Sequence, residues 1–98
     1  MRILAIERPA DGSPGEPSAC DLRDEAARAC ELLQQNSLRE IYLTDRHSRA
    51  VILLECANAA AAEALLETLP LVERGFITFD VMELEPYPGF ARLFADRT

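Results

Sequence analysis

Residues 38–56 read LREIYLTDRHSRAVILLEC and predict a β-hairpin. The first run, Leu38–Thr44, alternates in polarity and is rich in residues that favour strands. The second run, residues 50–56, is almost continuously apolar, which is typical of a strand covered on both faces. The segment DRHSR between them forms the turn. An even loop places Thr44 opposite Arg49, whereas an odd loop moves Glu55 to the other face of the sheet.

A strand and a helix are predicted on each side of this hairpin. Residues 1–7 (MRILAIE) predict a first strand, and residues 8–19, rich in proline and glycine, predict a long connecting loop. A helix begins at Asp21 or in the adjacent turn, and Asn36 is a suitable C-terminal cap. Its apolar positions at helical spacing are Leu22, Ala26, Ala29, Cys30 and Leu33.

The second half of the chain repeats this pattern in reverse order. Asn58 caps a helix over residues 59–69, and Pro70 ends it. Residues 76–84 (FITFDVMEL) then predict a fourth strand, in which Ile77, Phe79 and Val81 share one apolar face. The tail, residues 86–98, is more apolar than a free tail and is expected to dock on its own subunit or on a neighbour.

The predicted order β-α-β-β-α-β is the ferredoxin-like α+β arrangement in a single domain. Right-handed connections give one four-stranded antiparallel sheet with both helices on one face. The other face is apolar and is left uncovered by a chain of 98 residues. We therefore expect two sheets to pack face to face in a two-fold homodimer, or in a multiple of dimers.

Composition and charge exclude several classes of function. Seventeen acidic residues against ten basic ones give a net charge of −7, which disfavours nucleic acid as a partner. All the basic residues are arginine, so a lysine Schiff base is impossible. No signal peptide, membrane span or basic amphipathic helix is visible, so a cytoplasmic protein without membrane contact is expected.

The sequence gives no reason to expect a metal or another cofactor. Cys20, Cys30 and Cys56 lack the spacing of a zinc site or of a disulfide framework. Cys30 and Cys56 are expected to be small buried residues, with Cys20 in a loop. One histidine cannot make a usual zinc site, and no glycine-rich phosphate loop is present.

The segment from residue 32 to residue 88 resembles the muconolactone isomerase family. The resemblance rests on Leu69–Leu71 (LPL) after an alanine-rich helix, on the strand FITFDVMEL, and on a turn that contains His47. More broadly, the chain is similar to the dimeric α/β-barrel superfamily. Its tail, PYPGFARLF, is similar to a subgroup without a settled function. Where these isomerases tend to carry aromatic residues near their pocket, this chain has Leu38 and Ile41.

This resemblance implies a cofactor-free enzyme that moves a proton within a small unsaturated lactone or acid. A desolvated carboxylate can serve as base, and a tyrosine hydroxyl can stabilise the oxyanion. With an even hairpin loop, one sheet face carries Glu40, Tyr42, Glu55 and Asp80. Glu40 or Glu55 is the candidate base, Tyr42 the candidate donor and His47 a further acid–base candidate. Arg39, Arg49 and Asp80 are candidates for substrate binding.

Two other interpretations stay open. A non-catalytic ligand-binding or oligomerisation module would have a cavity without proton-transfer groups. A cofactor-free monooxygenase is less well supported, because the chain has no tryptophan and only two tyrosines.

Overall fold

A computed structural model of the chain describes residues 1–44, 46 and 48–94. It contains four strands, three α-helices and a C-terminal 3-10 helix. In chain order these are β1 (Arg2–Pro9), α1 (Ala19–Gln34), β2 (Leu38–Thr44), β3 (Arg49–Glu55), α2 (Ala59–Leu66), α3 (Pro70–Glu73), β4 (Ile77–Glu83) and the 3-10 helix Pro88–Phe94.

The four strands form one antiparallel sheet in the order β2-β3-β1-β4, which confirms the predicted ferredoxin-like α+β class. In the hairpin, Thr44 lies opposite Arg49 and Tyr42 lies opposite Val51. This is the register of the even loop. Glu55 therefore shares a face with Glu40 and Tyr42, because side chains alternate along each strand.

The hydrophobic core lies between the sheet and the helices. β1 contributes Ile3 and Ala5, which are both fully buried. α1 contributes Leu32, also fully buried, and the rest of the core comes from the other elements. These remaining buried residues are Leu38, Ile52, Leu54, Ala62, Leu66 and Leu69. The helices therefore cover one face of the sheet, which we call the helix face, and we call the opposite side the open face.

Helix α1 begins two residues before Asp21, which corrects the predicted start. Ser18 is the N-cap: its Oγ accepts from the Asp21 backbone N–H at 3.1 Å. The Ser18 backbone N–H in turn donates to the Asp21 carboxylate at 2.8 Å, which completes a capping box. At the other end Asn36 has φ 65°, and the amides of Asn36 and Ser37 donate to Leu33 and Leu32. This Schellman motif confirms Asn36 as part of the C-terminal stop.

The predicted apolar face of α1 is correct in part: Leu22, Ala26 and Ala29 lie on the side of the helix that faces the sheet, but Leu33 is exposed. Leu22 and Leu33 are 53% and 48% exposed, while Leu32 is fully buried. Cys30 is exposed as well, which corrects the expectation that it is buried. The inward face contains Ala29 and Leu32, and it also contains Glu25, which was expected in an acidic first turn. The prediction considered only apolar residues for the inward face of α1, so it missed the carboxylate.

Pro70 begins a new helix and does not end the preceding one. α2 ends at Leu66, and Pro70 occupies the first turn of the four-residue helix α3. Its fixed φ and missing N–H suit that position. The predicted helix over residues 59–69 is thus three residues too long, and the new start at Pro70 was missed. α3 is the element that presents Leu71 to α1.

The C-terminal segment leaves its apolar side chains in solvent. Tyr87 and Phe90 make an edge-to-face pair with ring centroids 5.0 Å apart, and the 3-10 helix exposes Phe90, Leu93 and Phe94 by 65, 75 and 86%. Docking of this tail on a neighbour stays a prediction. Among the described residues, no helix is long and apolar enough to span a membrane.

We predict that Ser18→Ala lowers the free energy of unfolding by about 1 kcal/mol, because it removes the N-cap of α1. Urea denaturation followed by circular dichroism measures this change. Ser13→Ala is the matched control: the Ser13 hydroxyl donates only to a nearby loop carbonyl, that of Gly15, at 3.3 Å. Equal stability of the two variants would contradict a role of the cap in stability.

Candidate functional site

A cavity of about 420 Å³ lies between α1 and the helix face of the sheet. This volume is within the usual range for small-molecule sites. Gly15 and Pro17 of the long loop line it, so the loop forms part of its wall. The remaining wall is mainly aliphatic and aromatic, and includes Ala26, Leu38, Ile41, Leu43, Ile52 and Phe79. Leu38 and Ile41 thus lie at the pocket, as the family resemblance implies.

Glu7 is the strand residue that brings a carboxylate into this cavity. Strand alternation places it on the helix face after Ile3 and Ala5, where it lies opposite Phe79 of β4. The pairing of β1 with β3 ends at Ile6, and the amide of Ala50 on β3 donates to Glu7 Oε1 at 3.0 Å. A main-chain bond therefore holds this half-buried carboxylate at the cavity wall.

Glu25 brings a second carboxylate into the cavity from α1. Its Oε1 accepts from the backbone N–H of Leu71 at 2.9 Å, so it caps the first turn of α3 from a neighbouring helix. Burial raises the pKa of Glu25, and the Glu7 carboxylate raises it further, against the opposing effects of the Leu71 amide and Arg74. A carboxyl group with a raised pKa in an apolar cavity is a stronger base than one in water.

Arg74 holds the helices that carry this arrangement. Its guanidinium donates to Asp21 at 2.8 Å and to Asp24 at 2.9 Å, both on α1, from the residue that follows α3. These bonds raise the pKa of Arg74. The pKa of Asp21 is lowered, mainly by the Ser18 amide. Because α3 is thus tied to α1, the Leu71 amide stays within reach of Glu25.

The sequence-predicted carboxylates and Tyr42 lie on the open face, outside this cavity. Tyr42 donates its hydroxyl proton to Glu40 at 2.6 Å, and this bond raises the Tyr42 pKa. Glu55 pairs with the N-terminal ammonium at 2.5 Å, which lowers the Glu55 pKa. Asp80 pairs with Arg8 at 2.8 Å. The structure thus brings together Glu40 and Tyr42, and gives the other two carboxylates separate cationic partners.

The remaining predicted residues lie at the edge of the sheet or outside the described residues. Arg39 lies at the irregularity where the β2–β3 register shifts, and it is exposed. Arg49 is exposed at the start of β3. His47 lies outside the described residues, although its neighbour Ser48 lines the cavity. The catalytic and binding roles of all these residues stay predictions.

Sequence reasoning missed Glu7 and Glu25 for two different reasons. Glu7 was taken as the end of β1, although the strand continues to Pro9 and its alternation places Glu7 on the helix face. Glu25 was taken as an acidic residue of the first helical turn, where it suits the helix dipole. Extending the β1 alternation by one step would have identified Glu7. Among the described residues, no group of three or more histidine, cysteine or acidic side chains could hold a metal ion.

The fold is the ferredoxin-like α+β class, with one cavity-bearing face and one open face. A similar solved structure is the crystal structure of muconolactone isomerase at 3.3 Å resolution. The TM-score is 0.72 and the sequence identity is 18%, over 90% of this chain and 92% of that chain. At this identity the likeness shows the fold. No family model matches the sequence, and no curated protein matches it.

We predict that Glu25→Gln raises the melting temperature at pH 7. The raised folded-state pKa of Glu25 means that stability falls as pH rises through the interval between the unfolded and folded pKa values. Glutamine removes this cost and keeps an oxygen for the Leu71 amide. Thermal melts from pH 4 to pH 7.5 should give similar melting temperatures for the two proteins in acid. At higher pH the melting temperature of Glu25→Gln should exceed that of the wild type.

The exposed loop residue Glu16 provides the control for this experiment. Glu16→Gln removes the same charge from a residue that does not line the cavity, and any effect of net charge alone appears in this variant as well. A Glu25→Gln protein that melts below the wild type at pH 7 would show that the ionised carboxylate stabilises the fold.

Proposed function

We propose that this protein is a cofactor-free isomerase that moves a proton between two carbon atoms of a small unsaturated lactone. The observation that carries the proposal is the half-buried Glu25 carboxylate, with its raised pKa, at an apolar cavity of about 420 Å³. The likeness in fold to muconolactone isomerase supports this reaction class, and the cavity chemistry supports Glu25 as the base.

In this reaction Glu25 takes a proton from the carbon at the γ position of the lactone. The electron pair moves into the ring and gives a dienolate, whose negative charge lies mainly on the carbonyl oxygen. The protonated Glu25 then returns the proton to the α carbon, which completes the isomerisation with no net change in atoms or electrons. One carboxylate performs both transfers, so the reaction needs no external oxidant or reductant.

Two neighbours support these transfers. Glu7 raises the proton affinity of Glu25, which favours abstraction of a weakly acidic carbon-bound proton. Ser48 lines the cavity at the end of the hairpin, and its hydroxyl group is a hydrogen-bond donor that suits a developing enolate oxygen. The mainly aliphatic and aromatic wall strengthens both effects, because charges and dipoles interact more strongly beside apolar surface than in bulk water.

The open-face carboxylates are the second candidates for the base. Glu40 and Glu55 are exposed in the single chain, and a second copy would have to cover them to desolvate them. The ion pair with the N-terminus lowers the pKa of Glu55 and makes it the weaker base. Glu25 is therefore the better supported assignment. A non-catalytic binding module remains the alternative function, and activity measurements separate it from an isomerase.

We predict that Glu25→Gln reduces isomerase activity at least a hundredfold, while Glu40→Gln and Glu55→Gln stay within about threefold of the wild type, since general-base catalysis contributes roughly 10²–10⁴-fold. The assay incubates unsaturated lactones with the protein in heavy water and follows deuterium incorporation by NMR. Because burial raises the Glu25 pKa, activity should fall as pH decreases through a value above 4.5.

Each outcome of this assay has a defined meaning. Loss of exchange in Glu40→Gln or Glu55→Gln, with Glu25→Gln active, would move the site to the open face. A folded protein that binds lactones without exchanging any proton would support the binding module. The melting curves described above show whether each variant is folded.

We also propose that a second copy of the chain covers the open face. Leu4, Ile6, Val51 and Leu53 are only half-buried there, and Tyr42 is 58% exposed. The accessible surface of the chain is 6977 Å², whereas about 5,600 Å² is expected for a folded monomer of 10.9 kDa. The excess is larger than the area that one partner buries in a standard interface, about 800 Å².

We predict a dimer or a multiple of dimers at micromolar concentration, measured by light scattering. Leu53→Arg places a charge in the middle of the open face and should give monomers. Leu93→Arg changes an exposed residue of the C-terminal segment and tests whether this segment contributes to assembly. A compact wild-type monomer would contradict the proposal. The three free cysteines are in line with a reducing compartment, and we propose the cytoplasm.

A further inference from the structure

The cavity wall carries negative charge and no opposing cation within the described part of the chain. Among the described residues that line it, Glu7 and Glu25 are the ones with ionisable side chains. Both carboxylates are held by main-chain amides, those of Ala50 and Leu71, rather than by arginine. The hydrogen bonds of these amides are already made to the protein's own carboxylates, so they offer no ready site for a second anion.

Two arginines of the helical layer, Arg28 and Arg74, are engaged in hydrogen bonds to other side chains. Arg74 donates to two carboxylates on the outside of α1. Arg28 donates to the Thr68 hydroxyl at 3.0 Å and to Glu31 at 3.1 Å. Recruiting either guanidinium into the cavity would break existing bonds. An anionic ligand would therefore find no cationic side chain among the described residues that line this largely apolar cavity.

We propose that the cavity selects uncharged unsaturated lactones and rejects those that carry a carboxylate. This inference rests on the proposed function for its substrate class, and it departs from the chemistry of muconolactone, which is a lactone with a carboxymethyl group. Glu7 is the specificity-determining residue, because its charge repels a second carboxylate without touching the reacting carbons. Proteins commonly achieve specificity by repelling one class of ligand.

The negative charge of the cavity wall also affects the proton-transfer step. An uncharged lactone gives a dienolate with one negative charge, formed while Glu25 becomes neutral by taking the proton. A carboxylate-bearing lactone gives a dianion beside the Glu7 carboxylate. Repulsion between like charges is strong in an apolar site, so both binding and proton transfer favour the uncharged substrate.

The experiment compares muconolactone with its methyl ester, which has the same ring and nearly the same shape without the charge. Both are incubated with the wild-type protein at pH 7.5, and isomerisation is followed by NMR. We expect kcat/KM for the ester to exceed that for the acid at least a hundredfold. The simple methyl-substituted furanone 5-methyl-2(5H)-furanone serves as a second uncharged probe. Equal rates, or a preference for the acid, would overturn the proposal.

Binding measured by NMR titration separates this proposal from the proposed function. If the ester binds more tightly than the acid but neither isomerises, the charge preference holds and the isomerase assignment fails. If the acid isomerises as well as the ester, the isomerase assignment holds and the charge preference fails. If neither compound binds at millimolar concentration, the charge preference for lactones is overturned as well.

Two pairs of variants test the source of the preference. Ala26→Arg introduces a cation at the cavity wall, and Ala27→Arg introduces the same charge at the next position of α1, which does not line the cavity. Only Ala26→Arg should reduce the ester-to-acid ratio, by about tenfold or more. Likewise Glu7→Gln should reduce the ratio, whereas Glu85→Gln, which removes the same charge from the C-terminal segment, should leave it unchanged.

Discussion

A four-stranded sheet with helices on one side imposes a simple constraint on every strand residue of this chain. Odd and even positions face different environments, one enclosed by helices and the other open. On β1, Ile3, Ala5 and Glu7 face the helices, while Leu4 and Ile6 face outward. This alternation decides which carboxylates are desolvated and which stay in solvent. The position of the cavity, the open face and the placement of the acidic strand residues on each face all follow from this alternation.

Glu25 connects this constraint to the helical layer. Its carboxylate replaces an apolar residue on the inward face of α1, and its bond to the Leu71 amide ends on a helix of only four residues. Arg74 ties the same two helices together on the outside. The Glu25 carboxylate therefore has a hydrogen-bond partner in the fold, although its partial removal from water is unfavourable. A group kept in a costly environment beside a cavity is a frequent feature of functional sites.

The fold could be predicted from the sequence because strand alternation, turns and helix stops are local signals. Asn36 stops α1 as predicted, and the hairpin takes the register of an even loop. The inward face of α1 could be predicted in this way only in part. Its phase is set by packing against the sheet, and packing tolerates Glu25 there because the Leu71 amide satisfies the carboxylate. That amide is 46 residues away in sequence, so no local pattern reveals the pair.

The two faces also differ in how their carboxylates are stabilised, and this difference bears on catalysis. On the open face, the N-terminal ammonium favours the ionised form of Glu55 and makes it a weaker base, and Asp80 is paired with Arg8. In the cavity, Glu7 and Glu25 are bound by uncharged amides, and the charge of Glu7 disfavours the ionised form of Glu25. Adding a proton to Glu25 relieves both its desolvation and this repulsion. The environment that makes Glu25 costly to the fold is thus the one that makes it a suitable acceptor for a carbon-bound proton.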